Sequence, residues 1–386
     1  MPYATRRFVE LGFRVVRVEA PSGAGRGHPG DPNRYIGRPM AGPDRRSYFV
    51  APNAGKEAVV IDLKLQEGQA LLRRMVHALG ADVFCTNTLP ARHAALGLGY
   101  ETLSRERPEL IWCSVSALGP AYPDVPGYDP MLQALCGYMD LTGNPDGPPL
   151  LCGVPLIDLK AGDEVFAQVL YALYERTRTG HGKRIDISMA QAAVSWLVTF
   201  LPLLDMGSPA DELRRSGNEH RNFLPTNAYP TADGMLYMAV GSDAQWARLV
   251  AQPLFREVAD PAVATNEGRR ERRAELFRAL SAITSAHSTE VVAAALRAAG
   301  VPNAPVTPIE GVMELPFVAS ALLTTTAPGG QTVRLPPPAV ATEWLAERHQ
   351  ELAFAPGYGE HTDSVLAEIG VDAAEREDLR RRGVTG

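Results

Sequence analysis

Apolar and polar positions change period several times along the chain. Residues 4–12 set Phe8 and Leu11, followed by Phe13, against Arg6, Arg7 and Glu10, the spacing of an amphipathic helix. Arg14 to Glu19 alternates and predicts a strand. A stretch rich in Gly, Pro and Asp then reads as a loop to about residue 47. Beyond it, strands are predicted at 58–63, 82–85 and 110–116, with helices at 66–79 and 100–107. Strands alternating with helices at this spacing predict a parallel α/β sheet, whose ligands bind beyond the carboxyl ends of the strands. Those ends carry Thr86-Asn87-Thr88 and Ser116-Ala117-Leu118-Gly119.

A second block begins with a helical pattern over 129–142, with Met131, Leu132, Leu135 and Met139 on one side. A Gly- and Pro-bearing stretch, Gly153 to Gly162, leads into a long helix to about Thr177, marked by Val165, Val169, Leu170, Ala172, Leu173 and Tyr174. The turn Gly180-His181-Gly182, a short strand at 184–187 and a helix from Met189 to about Leu204 follow. Residues 207–226 are polar and read as a linker. From 227 the pattern becomes a hairpin around Asp233-Gly234 and helices at 243–252, 268–286 and 289–299. The fold expected is a Rossmann-like α/β domain over 1–206, a small α+β domain over 227–325, and a return of 326–386 to the first domain, with helices at 362–369 and 373–382. Residues 386 in number supply ample core for this arrangement.

Composition narrows the function. A net charge of -6 argues against nucleic acid or an anionic membrane as the main partner, while leaving small anionic ligands open. No apolar run approaches the ~20 residues of a membrane span, and the first residues lack the apolar core of a secretory signal. Cys85, Cys113, Cys136 and Cys152 are widely spaced in apolar runs, which suits buried thiols in a reducing compartment better than disulfides or zinc. These features together predict a cytoplasmic protein. Gly23, Gly25 and Gly27 look faintly like a dinucleotide fingerprint, but Pro29, Gly30, Asp31 and Pro32 stand where its helix would open, so a loop is the better reading.

One carboxylate stands out. Asp158 sits at or near the start of the long buried helix, just after a turn. It reads either as a cap for the free N–H groups of the first turn, or as an ionised nucleophile beside a positive helix end. Hydrolase signatures such as G-x-S-x-G and H-E-x-x-H are missing from the sequence. His220 and His361 stand in polar, Gly-containing segments where lone histidines are mostly structural or solvent-exposed. A catalytic carboxylate served by backbone amides from Gly-rich loops is the more economical proposal.

Eight segments, in order, resemble the family III CoA-transferases, also called the CaiB/BaiF family. They are Phe13 to Pro21; Asn53-Ala54-Gly55-Lys56 through Ile61-Asp62-Leu63-Lys64; Ala81-Asp82-Val83 with Asn87; Gly127-Tyr128-Asp129-Pro130 with Gln133-Ala134; Thr179-Gly180-His181-Gly182; Tyr229 to Gly234; Gly300-Val301-Pro302 with Pro305-Val306; and Gly359-Glu360-His361-Thr362-Asp363. The resemblance assigns Asp158 the nucleophile's role, which tips the balance against the cap. It implies a CoA-transferase that forms an aspartyl mixed anhydride and then an aspartyl-CoA thioester. CoA enters as a thioester substrate, and no cofactor is bound permanently. It also implies ring-like chains interlocked as a homodimer. CoA is expected against the loops holding Asn53 and Lys56 and against Asn87, with Lys56 a candidate for its phosphates and a solvated surface lysine as the alternative. Tyr128 and residues 207–226 are expected to line the acyl pocket.

Three departures from the family pattern bear on the site. The family pattern has a first strand and loop, about 15–20 residues judged at one strand plus one loop, before the position of Met1, so either the start is wrong or the sheet lacks an edge and the site a contact. Ala20 stands where some relatives place an arginine. Thr86 to Ala91 replaces an E-N-F/Y-x-P-G loop. Two rival functions are an acyl-CoA racemase of the same family and a non-catalytic acyl-CoA-binding protein. The racemase branch carries His-Asp where this chain has Tyr128-Asp129, and a tyrosine with an ordinary pKa near ~10 is a poor base. A pure binder has no need of Asp158.

Overall fold

A computed structural model describes residues 1–21 and 27–386; Gly23 and Gly25 of the faint dinucleotide pattern lie outside them. The chain divides into two compact units, the first made of Met1–Cys136, Gly153–Val198 and Pro316–Gly386, the second of Gly137–Cys152 and Thr199–Leu315. Residues 207–226 belong to the second unit, as does the short segment 137–152.

The first unit is a set of parallel strands wrapped by helices. It begins α1 (Pro2–Glu10), β1 (Val16–Glu19), α2 (Ser47–Asn53), β2 (Glu57–Val60), α3 (Gln66–Ala78), β3 (Val83–Thr86), α4 (Tyr100–Glu106) and β4 (Ile111–Ser116). It continues with α5 (Asp129–Leu135), α6 (Leu156–Thr179), β5 (Lys183–Ser188) and α7 (Met189–Ser195). The parallel sheet expected from the alternation is present as two pieces, β1 with β2, and β3-β4-β5. In register, Val16 to Glu19 face Glu57 to Val60, and Cys85 faces Cys113. β4 is buried along its whole length, as befits a strand with neighbours on both edges. Trp112 in β4 is buried, and its indole N–H donates to Leu98 O at 2.8 Å.

The turn from α6 into β5 shows why the sequence needs its two glycines. Gly180 ends α6 with φ at +70°, the left-handed conformation a side chain disfavours. Gly182 runs so close to the start of β4 that a Cβ there would lie 2.1 Å from Leu110 O. Behind the sheet, the last helices, α11 (Thr362–Glu368) and α12 (Ala373–Arg381), return to pack Val365, Leu366, Ile369 and Leu379 against Val59, Ile61, Leu71 and Met75. No helix among the described residues is long and apolar enough to cross a membrane.

The second unit has its own core. Strands β6 (Thr226–Thr231) and β7 (Gly234–Ala239) form the antiparallel hairpin expected around Asp233-Gly234, and β8 (Asn303–Pro305) adds to the free edge of β7. Helices α8 (Asp243–Val250), α9 (Arg273–Ser285) and α10 (Thr289–Ala298) supply Trp246, Leu249, Leu276, Leu280, Val292 and Leu296 to that core.

Several expectations are corrected. The helical pattern over 129–142 is broken at Gly137, whose φ of +84° separates α5 from a single turn at Tyr138–Leu141. The pattern over 268–286 is two segments, because Arg272 leaves helical geometry between Asn266–Glu271 and α9. Helix is lost again after Ser195, where Trp196–Thr199 tightens to a 3-10 turn. A hairpin of β9 (Leu323–Thr326) and β10 (Thr332–Leu335) went unread, being short and polar on one face.

Within the stretch read as a loop, residues 27–47 are better ordered than their composition suggested. They hold a 3-10 turn at Pro32–Tyr35 and a short antiparallel pair, Pro39–Ala41 with Arg45–Arg46. The cause is a buried ion pair. Arg34 is fully buried; its Nη2 donates to Glu19 Oε2 at 2.5 Å, its Nη1 donates to Pro356 O at 2.9 Å, and its guanidinium lies 3.9 Å from the Phe49 ring centroid. Glu19 closes β1, so this pair ties the loop and the C-terminal segment to the strand. Removing one partner of a buried pair leaves the other charge uncompensated, at a cost of about 3–5 kcal/mol. Arg34→Met is therefore expected to lower stability by about 3 kcal/mol, toward the small end because Arg17 still reaches Glu19. Urea denaturation checks this, and a loss under about 1 kcal/mol would remove the pair from that role.

Candidate active site

Asp158 lies in the first turn of α6, the longest helix of the first unit. The turn opens on Pro155, which has no side chain able to cap it. Two of its N–H groups are capped from elsewhere in the chain. Asp129 Oδ2 accepts from Ile157 N at 2.7 Å and from Asp158 N at 3.1 Å. Gln133, one turn further along α5, donates from Nε2 to Asp129 Oδ1 at 2.5 Å and reaches Val154 O at 3.5 Å. Both Asp129 and Gln133 are buried.

This arrangement bears on the first reading of Asp158, as a cap. Among the described residues no first-turn N–H donates to its carboxylate, so Asp158 is not the cap of its own helix. It is exposed to a cavity of about 1170 Å³. Partial burial raises its pKa above the ordinary aspartate value, and the like charge of Asp129 adds to this, while the Met1 amino group opposes it. A carboxylate of raised pKa is a stronger base than an ordinary aspartate.

The same cavity gathers Asn53, Lys56, Asn87, Tyr128 and Asp158, which all line it, whereas residues 207–226, expected at the acyl pocket, are not among its lining. Asn87 follows the carboxyl end of β3 and is exposed, and Ser116 and Ala117 line the cavity at the end of β4, where strand order said a ligand would sit. Tyr128 is 81% exposed just ahead of α5.

Lys56 and Asn53 differ from expectation. Lys56 is 4% exposed, and its Nζ lies 2.8 Å from Pro2 O, 2.8 Å from Thr5 Oγ1 and 3.1 Å from Asn53 Oδ1. Burial, then the charges of Arg17 and Arg6, hold its pKa well below the usual lysine range. Asn53 is also buried, bonding Phe49 O at 2.8 Å and taking a bond from Arg17. These two side chains fasten α1 to the end of α2. A surface cation for a phosphate is a different thing, and residue type alone could not separate the two.

His220 and His361 both bond to backbone, His220 from an exposed position. His220 Nδ1 accepts from Asn222 N and Phe223 N, each at 3.1 Å, and His361 Nδ1 accepts from Ala58 N at 3.3 Å. The four cysteines are free thiols, of which only Cys113 is fully buried; its hydrogen bond with Cys85, and then burial, push its pKa up. Sequence reasoning missed the capping role of Asp129 and Gln133. Their signal was a polar pair four residues apart inside an otherwise apolar helical run, begun by Pro130.

Residues 1–362 match the family model of CoA-transferase family III. The chain belongs to that family. Among its relatives, the succinate–glutarate CoA-transferase of Agrobacterium fabrum is 34% identical over 385 residues, covering 95% of this chain and 92% of its own. The acetyl-CoA:oxalate CoA-transferase of Acetobacter aceti is 34% identical over 327 residues, covering 83% and 80%. A crystal structure of a CaiB/BaiF family protein from Brucella suis matches with a TM-score of 0.81 and 30% identity over 95% of each chain. The resemblance carried by the eight segments is thus borne out for family III, and with it the mixed α/β fold with parallel sheets. The protein is an enzyme of the CoA-transferase class.

A family III enzyme that attacks with Asp158 needs that carboxylate ionised. Because its pKa is raised, exchange is expected to fall as pH drops through a value above the ordinary ~3.9 of aspartate. The pH dependence of kcat for CoA exchange measures this. An acid limb at or below the ordinary aspartate range would contradict the environment described for Asp158.

Proposed function

We propose that this protein transfers CoA between an acyl-CoA thioester and a free carboxylic acid, with Asp158 as the covalent nucleophile. One observation carries the reading: Asp158 is relieved of capping by Asp129 and faces the cavity with its carboxylate uncommitted among the described residues.

The chemistry follows from a carboxylate in that position. An oxygen of Asp158 attacks the thioester carbonyl carbon of acyl-CoA. The tetrahedral intermediate collapses by breaking the C–S bond, leaving an aspartyl mixed anhydride and CoA thiolate. The thiolate attacks the aspartyl carbonyl and expels the donor acid as its carboxylate, giving aspartyl-CoA. The acceptor carboxylate then attacks the aspartyl thioester, releases the thiolate and forms a second anhydride. Attack of the thiolate on the acceptor's acyl carbon completes the new thioester and restores Asp158. No net proton or electron is exchanged, so each half reaction divides one hard exchange into two easier ones. CoA is consumed and returned as substrate, and no permanent cofactor enters the cycle.

The anhydride must be kept from water. Asp158 and Tyr128 are both open to solvent in a single chain, and a homodimer of interlocked chains would cover them. The dimer is part of the proposal. The names of the relatives, with succinate, glutarate and oxalate, make short dicarboxylates the first acids to assay.

Asp158→Asn keeps the size and removes the nucleophile. It is expected to lower CoA exchange by at least about 1,000-fold with the melting temperature within a few degrees of the parent, since the side chain caps nothing. Exchange between a labelled free acid and acyl-CoA measures this. Retained exchange in Asp158→Asn would overturn the mechanism.

A further inference from the structure

The geometry points to Asp129 as a positioning residue that, with Gln133, holds the first turn of α6 so that the Asp158 carboxylate meets its substrate in one orientation. This rests on the reading of Asp158 as the nucleophile and goes beyond it.

Three observations combine. The first turn of α6 lacks a cap of its own, so its direction must be fixed from outside. Asp129 provides this with a single oxygen that accepts from the N–H of Asp158 itself at 3.1 Å and from the preceding Ile157 N at 2.7 Å. The cap therefore grips the nucleophile's own peptide unit, not merely the helix. Its other oxygen is occupied by Gln133 Nε2 at 2.5 Å, and Gln133 is buried completely. The carboxylate is thus held at both oxygens and cannot rotate without breaking bonds to α5 or to α6.

Burial decides how much this matters. Asp129 is 5% exposed, so water cannot replace a lost acceptor cheaply, and the freed N–H groups would have to move to find partners. Any such movement carries the Asp158 Cα with it. A displacement near one ångström at a reacting group costs about 100-fold in rate. The same carboxylate also acts through charge. The charged groups acting on Asp158 are Asp129 from α5 and the Met1 amino group from ahead of α1; Asp129 makes Asp158 more basic and the amino group makes it less so. Asp129 hence fixes the direction of the attacking oxygen and adds to the basicity that burial gives it.

The experiment compares the intact enzyme with Asp129→Asn, Gln133→Leu and, as a control, Asp158→Asn. Steady-state exchange is measured across pH, with thermal unfolding alongside. Asp129→Asn keeps the shape and one acceptor, but sets its NH2 against the Gln133 NH2. It is expected to lower kcat about 10- to 100-fold with KM for acyl-CoA changed less than about threefold, and to move the acid limb of kcat to lower pH because the like charge is gone. Gln133→Leu frees the carboxylate to rotate and keeps its charge. It is expected to lower kcat about tenfold while leaving the acid limb close to its original position.

A purely structural cap predicts otherwise: lower melting temperatures, an unchanged acid limb, and unchanged kcat per folded enzyme. That result, with Asp158→Asn inactive, would overturn the positioning role alone. Retained exchange in Asp158→Asn would instead remove the nucleophile on which the role depends.

Discussion

A helix as long as α6 begins with N–H groups that have no partner within the helix, and the sequence gives it only Pro155 at the cap position. The acceptor comes from Asp129, separated by 28 residues from Ile157, and this one contact organises the region. It joins α5 to α6, closes the segment between them, and leaves Asp158 with no structural duty. In a helix capped by its own first-turn aspartate, the carboxylate would be bound to backbone and poorly disposed to attack. Outsourcing the cap separates the structural carboxylate from the one that faces the cavity.

The rest of the first unit brings cavity-lining groups to the same space. β3 and β4 run parallel, so Asn87 and Ser116 emerge at the same end of the sheet. α1 is fastened to α2 from inside by Lys56 and Asn53, and the loop after β1 is fastened by Glu19 and Arg34. Both fastenings spend charged or amide groups on burial, where losing a partner costs more than the contact gains. Lys56, Glu19 and Arg34 are thus committed to partners within the protein, and Asp158 is the carboxylate proposed for the family III chemistry.

Much of this was legible in the sequence, for identifiable reasons. The alternation of strands and helices up to Ser116 is strong because each element is amphipathic or wholly apolar, and most boundaries fell within two or three residues. The hairpin at Asp233-Gly234 was legible from its turn. Asp158 was legible as a lone carboxylate between a turn and a buried helix. Contacts between distant residues were not. Arg34 looks like a loop arginine until Glu19 is beside it, and Lys56 looks like a phosphate ligand until Thr5 and Pro2 are seen to surround it. Asp129 was visible in its motif with Tyr128, yet its partner N–H groups lie in another helix, which local periodicity cannot reveal. Helix interruptions at Gly137 and Arg272 were missed because apolar spacing continues across them.

The central claim is that Asp158 carries the activated acyl linkage during turnover. Hydroxylamine attacks aspartyl anhydrides and aspartyl thioesters but leaves a free carboxylate alone. Adding it to the enzyme during exchange with an acyl-CoA and a short dicarboxylate, followed by peptide mass spectrometry, reads the linkage directly. The account predicts a hydroxamate on the peptide containing Asp158, formed only when acyl-CoA is present. An unmodified Asp158 in enzyme that is turning over, or a hydroxamate on another carboxylate, would contradict it.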